Sequence, residues 1–411
     1  MQFTLRFDPA HDLRHARERV AEDDAGKWDR LVPRRQIACW SGHLVLPATN
    51  TAFTGLPPYL TPTPWATGQL CRRLGIPTVY YRRCLSELRD AQLAHWLQVG
   101  GILQAGDIEA QNVREENSQK ERSKPETWLL RGKGATLRGL LSERYSPLDN
   151  AVLLDSLAPV LDEQFQVSGF SLTDESLHLR IIHPLYAKDI RPNDRLVVGL
   201  HLTNSEVGCR AVTIDALVFR LVCENGLVSL VKGKSLLYRR HVGIGDPAAF
   251  QHQLGQAVSH ALVNGASFLE KLSWTTRTYL PRMDEVIAAL GEQWSLSQWV
   301  QERITANLLA EPAADQDLVW CLINAVTLAA QSLSPDARYD LEVKAGLLAE
   351  HGFAKLGTKD SGASRYRLAH PAAPEPLRSL SNGSDSGNSS SSGNGFGLPA
   401  SAQTEVVHDY N

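Results

Sequence analysis

The stretch that decides the fold is FRLVCENGLVSLVKGKSLLYRRHVG, residues 219–243. Two apolar runs in it are joined at Glu224-Asn225-Gly226, and an Asn-Gly pair between apolar runs is the strongest short-range signal of a β-hairpin. The stretch carries five Lys and Arg side chains against one acidic side chain, Glu224. The sequence therefore predicts a hairpin with a local excess of positive charge.

Three β-branched, partly alternating segments lead up to this hairpin, at residues 177–183, 195–202 and 211–223. Turn-forming residues at 192–194 and 203–205 separate them. Short strands divided by such turns are typical of consecutive antiparallel pairing. We therefore predict an antiparallel β-meander that ends in the basic hairpin.

A helix is predicted ahead of the meander in SPLDNAVLLDSLAPVLDEQF, residues 146–165. Ser146 suits the N-cap and Pro147 the first helical position, and apolar side chains then recur at helical spacing. The helix should start at Pro147. Pro159 should either end it near Leu157 or kink it on the way to Gln164.

Changes in composition along the chain divide it into five regions and indicate an α+β protein. Periodic apolar faces after residue 246 predict a helical layer over the sheet, and the Ser/Gly/Asn-rich end cannot bury enough apolar surface to fold. The predicted regions are an N-terminal α+β region (1–107), a polar linker (108–127), the β-rich core (128–245), a helical region (246–371) and a disordered tail (372–411).

The overall charge excludes a protein held to nucleic acid or anionic lipid by a global field. The 411 residues have a formal net charge of −3 at pH 7, so any such binding must come from local patches. The composition, 43% hydrophobic and 21% charged, fits a globular chain of two or three structural units.

The cysteines and the lack of long apolar runs indicate a cytoplasmic protein. The six cysteines are scattered singly without a CxxC pair, which is typical of buried free thiols in a reducing compartment. No run of about 18 apolar residues is present, so we expect no membrane segment.

Residues 64–84, PWATGQLCRRLGIPTVYYRRC, allow a helix-turn-helix corner. Cys71, Gly75 and Ile76 fall at the small, glycine and apolar positions of that motif, with arginines around them. Helix-Gly-helix corners without DNA contacts are also common, so an ordinary αα-corner is the simpler interpretation.

A metal set of His201, Cys209, Cys223 and His241 is conceivable on neighbouring strands. Zinc ligands usually come in close pairs, and these spacings contain none. Core thiols and a surface histidine are the favoured explanation of the four residues, and we predict no metal and no cofactor.

A second basic cluster lies in WLLRGKGATLRGLLSERYSPLDN, residues 128–150, where Gly132-Lys133-Gly134 would let the backbone approach a phosphate. Together with the hairpin it offers cations for phosphates and tyrosines for bases. A solvated sheet face is the competing interpretation. The predicted nucleic-acid-binding residues are Arg131, Lys133, Arg138, Arg144, Tyr145, Arg220, Lys232, Lys234, Tyr238, Arg239, Arg240 and His241.

Three motifs resemble a phage/plasmid-like family of unknown function, whose members occur in prophages, plasmids and other mobile elements. They are ERYSPLDN (143–150), RLVCENGL (220–227) and RHVG (240–243), and residues 63–81 are similar to the segment that precedes the core in that family. The similarity covers roughly residues 60–270. Where the family often has N-S-H-D-G, this chain has NSEVG at 204–208, which weakens any catalytic role for that loop.

The resemblance implies a mobile-DNA context, and the leading interpretation is a protein that binds or anneals single-stranded DNA in recombination or replication. A helix, a meander with a basic hairpin and a following helix are similar in order to the core of phage single-strand annealing proteins, an analogy of fold only. Annealing needs no catalytic residue, because cations neutralise phosphates and aromatic rings hold bases. We therefore expect nucleic acid as the partner and no enzymatic activity, and a homo-oligomer is left open.

Two other functions remain open. One is a metal-dependent nuclease or other hydrolase that uses Asp149, His183, Glu206 or His241, although the sequence has no paired carboxylates at metal-ligand spacing. The other is a helix-turn-helix regulator that binds DNA through residues 64–84.

Overall fold

The computed structural model describes residues 13–46, 59–99, 126–221, 225–230, 234–243, 246–355 and 366–368. Most of the predicted linker and the whole predicted tail lie outside the described residues. Cys223 and Lys232 lie outside them as well.

The N-terminal part is a helix followed by a mixed six-stranded sheet whose apolar face is covered by three more helices. The strand order is β1-β5-β6-β4-β3-β2, and only the β4–β6 pair is parallel. Because β5 and β6 pair with β1 and β4, this sheet joins residues on both sides of the predicted boundary at 128. Its elements are α1 (Leu13–Asp24), β1 (Lys27–Pro33), β2 (Ala38–Trp40), β3 (His43–Val45), β4 (Tyr59–Pro62), α2 (Pro64–Arg73), α3 (Thr78–Arg83), α4 (Ser86–Val99), β5 (Thr127–Lys133) and β6 (Thr136–Ser142).

The second sheet is the predicted antiparallel meander. Its order is β11-β10-β9-β8-β7, and β12 pairs with β10 along the same edge as β11. Its strands are β7 (Gln166–Leu172), β8 (Leu177–Arg191), β9 (Asp194–Asn204), β10 (Val212–Arg220), β11 (Asn225–Ser229) and β12 (Leu237–Arg239).

The predicted hairpin is present, but its turn was placed wrongly. Arg220 pairs with Asn225 and Phe219 with Gly226, so Asn225-Gly226 begins β11 and the connection is residues 221–224. The Asn225 side chain is buried and donates to the Thr327 hydroxyl at 2.5 Å. This tertiary hydrogen bond, rather than a turn conformation, accounts for the asparagine.

Helices cover both faces of the second sheet, which confirms the α+β class and the helical C-terminal part. On one face α5 and α6 pack against the leucines of β8 and β9, while α10 covers the other face. None of the described helices has both the length and the apolar character needed to cross a lipid bilayer. The elements are α5 (Asn150–Leu157), α6 (Pro247–Lys271), α7 (Met283–Trp294), α8 (Gln298–Leu309), α9 (Val319–Ala330), α10 (Pro335–His351), β13 (Phe353–Lys355) and β14 (Tyr366–Leu368).

The helix predicted to begin at Pro147 begins at Asn150 instead. Ser146 is engaged elsewhere, since its N–H donates to the His241 carbonyl at 2.8 Å and its hydroxyl accepts from Gly243 N–H at 3.2 Å. Asp149 is therefore the N-cap residue. The helix ends at Leu157, one of the two outcomes expected from Pro159, and a 3-10 turn follows.

Thiol titration at about pH 8 should find most cysteines of the native protein slow to react, and all six should react after denaturation. The five described cysteines are free. Burial raises the pKa of Cys71 and Cys321 to about 11, and burial together with Asp90 raises that of Cys39 to about 12. Since only the thiolate attacks the reagent, these groups should be nearly inert. Six rapidly reacting thiols in folded protein would contradict this packing.

Candidate nucleic-acid interface

Strand β12 presents the exposed part of the predicted interface. Leu237 of this strand points inward and is 8% exposed, whereas the next side chain, Tyr238, is 65% exposed. This alternation follows from the two-residue period of a strand. Lys234 and Arg240, on either side of β12, are also exposed.

The loop after β12 contacts the segment that carries Arg144, whose side chain is also exposed. Tyr145 forms a bridge with Val242, and its ring stacks on His241 with centroids 5.1 Å apart. Gly243 has a φ of +62°, which favours glycine at this bend. We call the surface formed by Arg144, Lys234, Tyr238, Arg239 and Arg240 the basic edge.

Arg239 is partly buried, and its guanidinium lies 4.6 Å from the centre of the Phe250 ring of α6. Cation–π contact of this kind fixes the direction of a long side chain without neutralising its charge. The charge of Arg239 thus remains part of the basic edge.

His241 and Tyr145 do not contribute charge or a free ring there. His241 is 5% exposed, and burial together with the nearby Arg131 lowers its pKa to about 4, so it is neutral at pH 7. The Tyr145 hydroxyl donates to the Ser205 carbonyl at 3.0 Å. Both rings act as packing between residues 143–150 and 240–243.

Three of the predicted arginines are ion-paired, two of them buried and one, Arg220, partly buried, so they cannot face a phosphate without rearrangement. Arg131 contacts Asp29 at 2.8 Å and Asp149 at 2.5 Å. Arg220 holds Asp194 through two nitrogens, at 2.6 and 2.9 Å. The third is Arg138, which binds Glu206 at 3.0 Å, and the half-exposed Lys133 pairs with Asp23 at 2.8 Å.

Glu206 is the centre of this buried charge network. Its side chain is 1% exposed, and it accepts from Lys27 at 2.8 Å, from Arg138 at 3.0 Å and from Asn150 N–H at 3.0 Å. We call Lys27, Arg131, Arg138, Asp149 and Glu206 the Glu206 cluster. It ties the first sheet to the start of α5 and to the end of β9.

Two groups of acidic and thiol side chains have the spacing of cation ligands, but a protein cation already lies in each. The Lys27 ammonium is within 2.6–2.8 Å of Asp23, Asp24 and Glu206. In the other group, Glu175, Cys209 and Asp336, the Arg210 guanidinium contacts Asp336. His201, Cys209 and His241 do not form a ligand group with one another within the described residues.

The residues proposed for a hydrolase do not converge on one cavity. Asp149 and the backbone carbonyl of Glu206 are both bound by Arg131. His183 packs between the Phe165 and Tyr186 rings. With the contacts of the Glu206 carboxylate to Lys27 and Arg138 and the stack of His241 on Tyr145, each of the four side chains has a structural role.

A second polar cluster, which we call the histidine layer, lies between the second sheet and α10. His178 Nδ1 is 3.3 Å from His201 Nε2, and His178 Nε2 is 3.0 Å from Asp336. The Tyr339 hydroxyl donates to Asp215 at 2.6 Å. Burial lowers the pKa of His201 well below its usual range, with the nearby Arg180 acting in the same direction, so this ring is neutral.

Sequence reasoning missed most of the histidine layer, although a signal was present. His178 and Arg180 alternate with leucines in β8, and Thr213 and Asp215 alternate with apolar residues in β10. Polar side chains two apart in a strand share one face. Two such pairs on neighbouring strands could have predicted a polar patch under a helix.

One of the comparisons with known proteins finds a family model that matches part of the chain. Residues 138–330 match the family model described as Domain of unknown function (DUF932). The matched segment covers a little under half of the 411 residues. It runs from β6 to the end of α9 and leaves α10 outside, although α10 supplies Asp336 and Tyr339 to the histidine layer. No curated protein matches the chain, and no solved structure does.

Proposed function

We propose that this protein binds single-stranded nucleic acid along the basic edge, in recombination or replication of a mobile element. The observation that carries the proposal is the contrast between two sets of cations. Arg131, Arg138 and Arg220 are each paired with at least one carboxylate, whereas no ion pair among the described residues involves Arg144, Lys234, Arg239 or Arg240.

Tyr238 supports a single-stranded ligand. Its ring is 65% exposed on the strand that carries the cations. A base stacked on such a ring contributes about 1–3 kcal/mol, and every base offers a face for stacking. Bases in a duplex are already stacked on each other, so the ring favours an unpaired strand.

The helix-turn-helix alternative has less support. The corner between α2 and α3 exists, with Gly75 at a φ of +68°, but α3 has only six residues. A helix of that length rises about 9 Å, which is short for reading bases in a major groove. Arg73 is also occupied, since it donates to the Leu140 carbonyl at 3.3 Å.

The mobile-element context rests on the resemblance of the three motifs. In the structure two of them meet, because ERYSPLDN and RHVG are joined through the Tyr145–His241 stack and the Tyr145–Val242 bridge. Their joint task is to hold Arg144 and Arg240 at one surface. Positioning these two cations is a role for the motifs that is consistent with nucleic-acid binding.

The test is a fluorescence anisotropy titration with a labelled oligonucleotide of about 20 nucleotides, single-stranded or in duplex, with and without Mg²⁺. We expect tighter binding of the single strand, no cleavage in Mg²⁺, and weaker binding after Tyr238→Ala by about 1–3 kcal/mol. Preference for the duplex would favour the regulator, and Mg²⁺-dependent cleavage would favour the nuclease.

A variant with Arg144, Lys234, Arg239 and Arg240 all replaced by Gln should lose most of its affinity. The matched control replaces four other exposed arginines by Gln, Arg35, Arg72, Arg82 and Arg83. It changes the net charge equally and removes the cations of the helix-turn-helix corner. Loss of binding in the control variant alone would transfer the interface to that corner.

A further inference from the structure

A cleft of about 300 Å³ opens at the edge of the second sheet opposite the basic edge. It lies between β7, β8 and the first turn of α10. The residues that line it include Ser168, Gly169, His178, Arg180 and Arg338. Strands β9 and β10 separate it from β12, so a ligand bound here would not overlap the basic edge.

Two guanidinium groups in the wall of the cleft share a single carboxylate. Glu342 is fully buried and accepts from Arg180 Nη2 at 2.6 Å and from Arg338 Nε at 3.0 Å. The next carboxylates, Asp336 and Asp340, both pair with Arg210, so the wider group of three arginines and three carboxylates is balanced in charge. The guanidinium groups of Arg180 and Arg338 thus have more donors than their one carboxylate can accept.

Hydrogen-bond donors remain available toward the cleft. No hydrogen bond among the described residues uses the other two nitrogens of Arg180 or of Arg338. The Ser168 hydroxyl oxygen is buried and has no partner within that part of the chain. A buried polar atom without a partner is costly, and a bound ligand is one way to satisfy it.

Local backbone features make room for an anion. Ser168 is the extra residue of a β-bulge, since Val167 pairs with Ile181 and Gly169 with Arg180. A Cβ atom on Gly169 would lie 3.3 Å from Arg180 Cδ, so glycine leaves the arginine its space. The N-terminus of α10 borders the cleft at Pro335, and its Ser334 N-cap side chain makes no capping hydrogen bond.

We propose that this cleft binds a phosphate group of a small molecule or of a nucleic-acid terminus, held by Arg180, Arg338 and the Ser168 hydroxyl. Two guanidinium groups and a hydroxyl match the several oxygens of a phosphate monoester, and the helix N-terminus favours the same charge. The proposal is independent of the basic edge, which takes internal phosphates of a strand.

Isothermal titration calorimetry of the full chain tests it with four probes: inorganic phosphate, adenosine 5′-monophosphate, and a thymidine dinucleotide with or without a 5′-phosphate. We expect saturable 1:1 binding of at least one phosphate monoester. Binding of the 5′-phosphorylated dinucleotide in preference to adenosine monophosphate would identify a nucleic-acid terminus as the source, and the reverse would identify a free nucleotide.

Arg338→Gln should weaken binding roughly tenfold or more, because a charged donor is removed. Ser168→Val should also weaken it by filling the cleft, and it leaves the Arg180–Glu342–Arg338 contacts in place. The control is Arg17→Gln. It removes a surface cation of helix α1 that is paired with Asp155 of helix α5 and does not line the cleft. Unchanged affinity in folded Ser168→Val and Arg338→Gln protein, or no saturable binding of any probe up to about 10 mM, would overturn the proposal.

Discussion

Replacement of Glu206 by alanine is expected to lower the free energy of unfolding by about 3–5 kcal/mol, because it removes the buried carboxylate that Arg138 and Lys27 share. Lys27 and Arg138 contact this carboxylate at 2.8 and 3.0 Å, and the side chains of Glu206 and Arg138 are 1% and 4% exposed. Urea denaturation followed by tryptophan fluorescence measures the change.

The control for this prediction is Glu270→Ala at an exposed ion pair. Glu270 contacts Lys188 at 2.6 Å, but the two side chains are 71% and 45% exposed. Surface pairs of this kind contribute about 0–1 kcal/mol. A loss of less than about 1 kcal/mol in Glu206→Ala protein would show that the cluster does not hold the two sheets together.

The same carboxylate should make stability fall in acid. Burial raises the pKa of Glu206, but the hydrogen bond from Asn150 N–H and the charges of Lys27 and Arg138 outweigh it, and the pKa lies below its usual value of 4.5. Its contribution is therefore complete above pH 4.5 and is lost as the pH falls through the folded-state pKa. Glu206→Ala protein should lose less stability than the native chain over that interval.

Gly346→Ala is expected to destabilise the protein by about 3 kcal/mol or more, since the added methyl group has no space. Gly346 lies where α10 crosses β11, and a Cβ atom there would fall far inside van der Waals contact with the Val228 carbonyl oxygen. The clashing atoms of Val228 belong to the backbone, which cannot rotate away as a side chain can. Helix α10 must move off the sheet, which also separates Tyr339 from Asp215.

Gly255→Ala in α6 is the matched substitution. The nearest heavy atom to a Cβ at Gly255 is Val160 Cγ1 at 3.7 Å, an ordinary contact. Alanine favours a helix over glycine by about 1 kcal/mol, so this variant should be slightly more stable than the native chain. Equal melting temperatures for the two glycine variants would contradict the close packing of α10 on β11.

The meander could be predicted because each of its signals is local. Alternating apolar residues and turn residues in sequence determine strand pairing between neighbours, and the five strands β7–β11 follow that order. The turn position could not be predicted, because the Asn225 side-chain NH2 group donates to Thr327, about a hundred residues away in sequence. This long-range hydrogen bond accounts for the position of Asn225-Gly226 at the start of β11 rather than in the turn.

The start of α5 shows the same limit. Ser146 and Pro147 are good residues for a helix start, yet Ser146 is bound to residues 241 and 243 and the Asp149 carboxylate to Arg131. Local capping preferences contribute about 1 kcal/mol each, which tertiary contacts of buried charges readily exceed.

The candidate interface was predicted only in part, because charge on an arginine is visible in sequence and its neutralisation is not. Arg131 and Arg138 lie in a basic run of the sequence, but their acidic partners are up to 102 residues away. The basic edge is what remains of the predicted set without the paired arginines, the paired Lys133, the stacked Tyr145 and His241, and Lys232, which lies outside the described residues.

The salt dependence of single-strand affinity tests the central claim most directly. The slope of log K against log salt is negative, and each phosphate contact makes it steeper by about 0.7. The variant with Gln at 144, 234, 239 and 240 should therefore have a slope shallower by about 3. The control variant at residues 35, 72, 82 and 83 should keep the native slope. An unchanged slope and affinity in correctly folded protein with the four basic-edge substitutions would contradict binding at this surface.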